Sequence, residues 1–297
     1  INTAHELKYI IAGTLILFFV GLKDDLLPLP AYQKFIGQSL AALIILVPGG
    51  LYLNSLHGLF GIYELSYFTS IVISFILFIA LINSFNLIDG IDGLASGLGI
   101  LASIFFGIVF LLNGPLAYAV MSFVLAASLI AFFYFNVFSK KNKIFLGDTG
   151  SMLIGLLVSI LAIKFLNIER GTLFFHQNST SPALLLSVLI IPLFDTARVM
   201  VVRISQGKSP FAADRIHIQH HMLRLSGSHL AASLKILSAN ILFISIPLLF
   251  RNLSGEELIL MILTLATALF NIPVYINKLK QKYAFDFKFE WKLNEAK

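Results

Sequence analysis

Nine apolar runs, near 8–22, 35–53, 67–83, 94–112, 116–137, 150–166, 183–203, 229–250 and 257–277, constrain this chain more than any other feature. A bilayer core takes roughly 20 apolar residues per helix. Inside hydrocarbon each backbone N–H and C=O must find its partner within the structure, so only helices and closed barrels can cross. The runs lack the period-two alternation of barrel strands. The expected fold is all-α: a polytopic transmembrane helical bundle of about nine helices. Composition agrees, with 58% hydrophobic residues, 12% charged residues and 28 Phe among 297, outside the usual range of soluble domains.

The same composition excludes several functions. With no cysteine there is no disulfide framework, thiolate nucleophile or cysteine-bound metal. A net charge of +6 needs no nucleic acid to explain it, because basic residues beside membrane helices set topology. The chain opens on Ile1 with no Met or signal-like segment, so it is expected to lack its natural N-terminus.

If nine helices alternate, the segments 23–34, 84–93, 138–149, 204–228 and 278–297 share one face. They hold Lys23, Lys34, Lys140, Lys141, Lys143, Lys208, Arg215, Arg224, Lys278, Lys280 and Lys282, whereas the opposite loops hold little beyond Arg170 and Arg251. The basic face is expected to be cytoplasmic, with 54–66 and 167–182 facing out. Seven aspartates, Asp24, Asp25, Asp89, Asp92, Asp148, Asp195 and Asp214, fall on that same face, while Glu64, Glu169, Glu256 and Glu257 fall on the other. Carboxylates near a bilayer are costly and normally line a polar site. Four loops each giving one or two Asp is the supply that a metal and phosphate site needs.

Each cluster also has a plain structural reading. In GLKDDLLPLPAYQK, 21–34, Asp24 and Asp25 follow a helix end and Lys34 precedes the next helix; a solvated turn would look similar, but adjacent carboxylates repel. In NSFNLIDGIDGLASG, 83–97, the step of three between Asn86, Asp89 and Asp92 places them on one helical stripe. Gly90 and Gly93 there leave room for a ligand or a neighbouring helix. Capping across a turn would explain one Asp, not the whole stripe. In FLGDTGSMLIG, 145–155, Asp148 reads as an N-cap with Ser151 in third place, and helix starts also bind phosphate. Phe145 is a core or interface residue, or a platform for a base. The stretch 191–229 carries Arg215, His217 and His220, a plausible phosphate grip. Zinc is a poor fit, with no cysteine and one tight His cluster.

NSFNLIDGIDGLASG, GLKDDLLPLPAYQKFIGQ, FLGDTGS and PLFDTARV…RISQGKSPFAADRIH together resemble the bacterial polyprenyl-phosphate N-acetylhexosamine-1-phosphate transferases, particularly those that make undecaprenyl-linked GlcNAc. The match runs in order from Gly21 to His229. One departure stands out: the family pattern D-R-x-H-x-H-H has Gln219 at its middle His, with His217 and His220 retained. That branch also has two further N-terminal helices, absent here.

The resemblance implies one membrane-embedded catalytic domain over 1–277 and a cytoplasmic tail over 278–297, in the bacterial inner membrane with its active site on the cytoplasmic face. It implies transfer of GlcNAc-1-phosphate from a UDP-sugar to undecaprenyl phosphate, releasing UMP and starting a cell-envelope glycan, with Mg²⁺ or Mn²⁺ required. Asp24, Asp25, Asp148, His217 and His220 are then the catalytic candidates. Lys34, Asn86, Asp89, Asp92, Phe145 and Arg215 face substrate, and Asp148 and Asp92 face metal. A phosphate monoester with a second pKa near 6 is largely dianionic at neutral pH, and an exposed Asp with a pKa near 3.9 is a poor base. Positioning and metal binding are therefore favoured for Asp24, Asp25 and Asp148, with base or nucleophile roles for the first pair left open. A homodimer is also left open.

Two alternatives remain. A phospho-MurNAc-pentapeptide translocase would carry consecutive histidines, whereas HIQHH is interrupted. An ion-coupled transporter would place carboxylates near the bilayer midplane in broken helices. Beyond the site, 167–182 reads as an external connector. The tail YAFDFKFEWKL, 283–293, alternates aromatic and charged residues, which predicts an extended or interfacial segment and not a continuing helix.

Overall fold

The computed structural model describes residues 3–113, 115–168, 180–209 and 216–295. Ten helices and one hairpin follow in order: α1 (Thr3–Leu26), α2 (Ala31–Leu46), β1 (Ser55–Leu59), β2 (Ile62–Glu64), α3 (Tyr67–Ile88), α4 (Leu94–Asn113), α5 (Leu116–Val137), α6 (Gly147–Leu166), α7 (Thr180–Ser205), α8 (Ile218–Ser226), α9 (His229–Leu249) and α10 (Gly255–Glu295). Eight of these helices are long and apolar enough to cross a membrane, and α2, at 16 residues, is a shorter ninth. The nine apolar runs thus correspond to nine helices of a multi-pass membrane protein.

Three details differ from expectation. The run 35–53 stops being helical at Leu46, because Pro48-Gly49-Gly50 follows. The segment 54–66 closes as an antiparallel hairpin pairing Ser55 with Glu64 and Leu59 with Ile62. The tail 283–293 is not extended: α10 continues through it to Glu295. A lone extended segment has no neighbouring strand to satisfy its backbone, whereas a helix already nucleated supplies one bond per added residue.

Lipid tails are as apolar as Leu, so membrane helices associate through close packing and a few polar contacts. The α1–α6 crossing shows this. A Cβ on Gly21 would lie 2.5 Å from the Thr149 Cα, so only glycine lets the backbones touch, and that contact brings the end of α1 against the start of α6. Helix α7 contains Pro192, which cannot donate to the Val188 carbonyl one turn earlier. The Asn240 side-chain amide of α9 donates to that oxygen at 3.2 Å, replacing the missing bond inside the hydrocarbon layer. At the end opposite the aspartates, buried Glu6 takes both the Tyr118 hydroxyl and the Lys164 ammonium, a pairing that desolvated charges require.

Candidate active site

Four helix ends meet at the basic end of the bundle: the last turns of α1 and α3 and the first turns of α2 and α6. Asp24 and Asp25 lie inside the last turn of α1, and Lys34 inside the first turn of α2. Asp148 is the hub. Its Oδ2 accepts from Lys34 Nζ at 3.2 Å, and its Oδ1 takes the side-chain amide of Asn86. The Lys34 ammonium also pairs with buried Asp24, whose Oδ1 accepts the Leu29 N–H at 2.7 Å. Asn86 reaches Ser151 Oγ at 3.0 Å as well.

Asp148 does not cap its own helix. The position before α6 is Leu146, which offers no side-chain oxygen. Asp25 supplies the cap from α1: its Oδ1 accepts the Asp148 N–H at 2.7 Å, and its Oδ2 accepts the Thr149 N–H at 3.1 Å together with the Thr149 hydroxyl. Gly147 makes room for it. Its φ of +66° suits glycine, and a Cβ there would lie 2.8 Å from both Asp25 oxygens. Both oxygens of Asp25 are therefore engaged by α6, and the Asp148 carboxylate is turned to Lys34 and Asn86 instead. Asp25→Ala should lower the unfolding midpoint in detergent by a few degrees, because loss of an N-cap costs about 1 kcal/mol and up to ~2. An unchanged midpoint would remove the capping role.

The expected stripe of Asn86, Asp89 and Asp92 is broken. Helix α3 ends at Ile88 with Asp89 in its C-cap position, and the turn that follows carries Gly93 at a φ of +77°, a conformation that suits glycine. Asn86 stays with Asp148, while Asp92 turns to the 138–146 segment and α9: its Oδ2 lies 2.6 Å from Lys143 Nζ and 3.2 Å from His229 Nδ1. Lys143 Nζ in turn lies 5.2 Å from the centre of the Phe145 ring, which is 74% exposed and open to a stacking partner. The space at Gly90 and Gly93 serves neighbouring helices. A Cβ on Gly90 would meet Gln219 Nε2 at 3.1 Å, and one on Gly93 would meet Phe133 at 2.7 Å.

Asp89 is pushed up from 3.8 to about 7, first by burial and then by the carboxylates of Asp148 and Asp92. A raised folded-state value means that ionising Asp89 costs stability. The cost is absent below about pH 4 and fully present above about pH 7. With divalent cations chelated, Asp89→Asn should therefore melt above wild type near pH 8 and together with it near pH 4. Equal midpoints at both pH values would remove the repulsion.

Among the described residues no group of three or more His, Asp or Glu is arranged to hold a metal ion. Magnesium commonly takes only one or two protein carboxylates and completes its shell with substrate phosphates and water. Asp148 and Asp89, whose carboxyl feels the charge of Asp148, fit that demand. Asp92, expected beside the metal, faces Lys143 and His229 instead.

Helix α8 closes the other side. Its N-cap is His217, which is buried, with Nδ1 2.7 Å from Asp195 Oδ2. The other Asp195 oxygen accepts the Ile218 N–H at 3.0 Å and Arg198 at 2.8 Å, and Arg198 also donates to the Ile216 carbonyl at 2.7 Å. Among the described residues, buried His217 Nε2 has no hydrogen-bond partner. Sequence reasoning left Asp195 out of the site, although Arg198 one turn on and the polar stretch that follows it were visible signals. Gln219, at the position of the family's middle His, is also buried and donates to the Leu87 carbonyl at 2.9 Å. It ties α8 to the end of α3 and brings His220 beside Gly90, where a Cβ would meet the His220 ring at 3.5 Å. Arg215 lies outside the described residues.

The fold and site define a multi-pass helical membrane protein with carboxylates and cations gathered at one end. Residues 7–166 match glycosyl transferase family 4. The chain is 31% identical over 264 residues to the undecaprenyl-phosphate alpha-N-acetylglucosaminyl 1-phosphate transferase of Escherichia coli (strain K12), covering 86% of this chain and 69% of that one. It is 33% identical over 213 residues to the protein of the same description from Yersinia pestis, covering 70% and 56%. It is 34% identical over 242 residues to the decaprenyl-phosphate N-acetylglucosaminephosphotransferase of Mycolicibacterium smegmatis, covering 76% and 59%. The chain belongs to glycosyl transferase family 4 and is a transferase.

Proposed function

We propose that this enzyme transfers GlcNAc-1-phosphate from UDP-GlcNAc to undecaprenyl phosphate at the cytoplasmic face of the bacterial inner membrane, releasing UMP. One observation carries the reading: the charged cluster adjoins a place for a lipid. A groove of about 420 Å³ between α2 and α3 is lined by Tyr32, Lys34, Phe35, Gln38, Ile79 and Asn83. Lys34 is its one cation and the same ammonium that touches Asp24 and Asp148. A prenyl chain in the groove would put its phosphate at Lys34. The names of the relatives supply GlcNAc and the prenyl carrier, and the Lys/Arg bias supplies the cytoplasmic face.

The division of labour follows from the contacts. Lys34 draws the acceptor phosphate, which at neutral pH is nucleophilic without a base. Asp24 holds Lys34, and Asp25 fixes the start of α6 so that Asp148 faces the cluster. Phe145, with Lys143 and Asp92 behind it, offers a surface for uracil. His217 and His220 face the pyrophosphate, where hydrogen bonds to the leaving UMP lower the barrier. Asp148 with Asp89 would hold Mg²⁺ or Mn²⁺, which supplies charge neutralisation for the pyrophosphate.

Purified protein in detergent, given a panel of UDP-sugars with and without undecaprenyl phosphate, tests the reading through UMP release. Release should require UDP-GlcNAc and the lipid together. Release without lipid, or a stronger response to another UDP-sugar, would overturn it.

A further inference from the structure

Helix α8 separates two environments. One face presents Gln219 and His220 to Leu87 and Gly90. The other presents Ile218, Met222 and Leu225, spaced to share one side of the helix, to a cavity of about 290 Å³ closed by α7, α9 and α10. Leu269 and Ile272 of α10 line this cavity and are 41% and 51% exposed, so it opens on the lipid-facing side of the bundle. Its lining is apolar but for Lys235. That residue sits in the second turn of α9, at the basic end, and its ammonium donates to Ser226 Oγ at 3.1 Å across the α8–α9 turn.

An apolar cavity of this kind does not hold water well, and what the bilayer offers in its place is an acyl chain. A lysine with its stem along apolar surface and its charge at the membrane edge selects an anionic head group. We propose that the cavity takes one acyl chain of an anionic phospholipid, that the lipid phosphate pairs with Lys235, and that the chain braces α8 against the α3–α4 turn. The binding stands apart from the sugar-phosphate reading; the bracing rests on it.

Native mass spectrometry of the full chain in detergent tests the binding, with phosphatidylglycerol and phosphatidylcholine of identical acyl chains added in turn. Wild type should retain phosphatidylglycerol about fivefold better, the weight of one Lys near an anionic surface. Lys235→Gln should erase the preference, and Ala239→Phe, which fills the cavity, should lower retention of both lipids. Should Ala239→Phe fail to fold, Lys235→Gln still decides. Equal retention of the two lipids by wild type, or a preference that survives Lys235→Gln, overturns the proposal. So does displacement by inorganic phosphate alone, which would mark a bare anion site, or mole-for-mole displacement by undecaprenyl phosphate, which would mark a substrate site. Turnover in nanodiscs tests the bracing: phosphatidylglycerol should raise the wild-type rate and not that of Lys235→Gln. A rate indifferent to lipid, with binding intact, overturns the bracing. No turnover in any disc would fail the sugar-phosphate reading while the spectra still settle the binding.

Discussion

Asp148→Asn should leave the protein folded and lower UMP release by at least ~10²-fold, a loss of several kcal/mol of charge stabilisation. The substitution keeps the shape of the side chain. It also spares the start of α6, because Asp25 and not Asp148 accepts the first amides of that helix. What it removes is one negative charge facing Lys34 and Asn86, in a site where Asp89 already feels that charge. Two secondary results follow. High Mg²⁺ or Mn²⁺ should restore part of the rate, and the high-pH stability deficit attributed to Asp89 should shrink, since one of its repelling neighbours is gone. Thermal melts at several pH values read the second effect without any substrate. Full turnover in a well-folded Asp148→Asn protein would remove Asp148 from the chemistry.

Much of the architecture was legible because the bilayer simplifies the problem. Apolar length alone marks a spanning helix, and the run 67–83, for example, became α3 with its N-cap at Ser66. Helix α8 was not legible in this way. It is nine residues long, IQHHMLRLS, and its apolar positions face a cavity while its polar ones face the site, so the stretch read as a polar loop. The tail misled for the opposite reason: a period-two pattern counts as a strand signal only where a second strand exists to pair with it.

The residues of the site were visible, but their partners were not. Capping rules look three residues ahead, and from FLGDTGS they made Asp148 and Ser151 the cap. The real acceptor, Asp25, comes from 123 residues earlier in the chain. The stripe through Asn86, Asp89 and Asp92 assumed a helix that in fact ends at Ile88. Four residues of turn then send Asp92 to Lys143 and His229. Spacing told which side chains share an end of the bundle. Which of them touch depended on helix crossings such as that at Gly21.

Asp195→Asn should cost about ten- to a hundredfold in kcat, the rate equivalent of one hydrogen bond to a charged group at roughly 1.5–3 kcal/mol, with little change in KM for the UDP-sugar. A carboxylate only accepts hydrogen bonds, so Asp195 requires the proton of His217 to sit on Nδ1, leaving the buried Nε2 as an acceptor, or as a donor in a protonated ring. An asparagine amide turned toward Nδ1 would demand the opposite tautomer. Asp195 is thus a positioning residue that acts through His217, and its loss differs in kind from a loss of packing. Asp195→Ala, by contrast, strips the partners of the Ile218 N–H and Arg198 together and should destabilise the fold as well. His217→Ala should lower kcat by a similar factor to Asp195→Asn, and the double variant Asp195→Asn/His217→Ala should be no slower than His217→Ala alone, because residues that act as a unit are not additive. The pH profile of kcat should also shift in Asp195→Asn, which a loss of stability from leaving Arg198 with a neutral partner would not by itself produce. Additive losses in the double variant, or a pH profile identical to wild type, would mean that His217 works without Asp195.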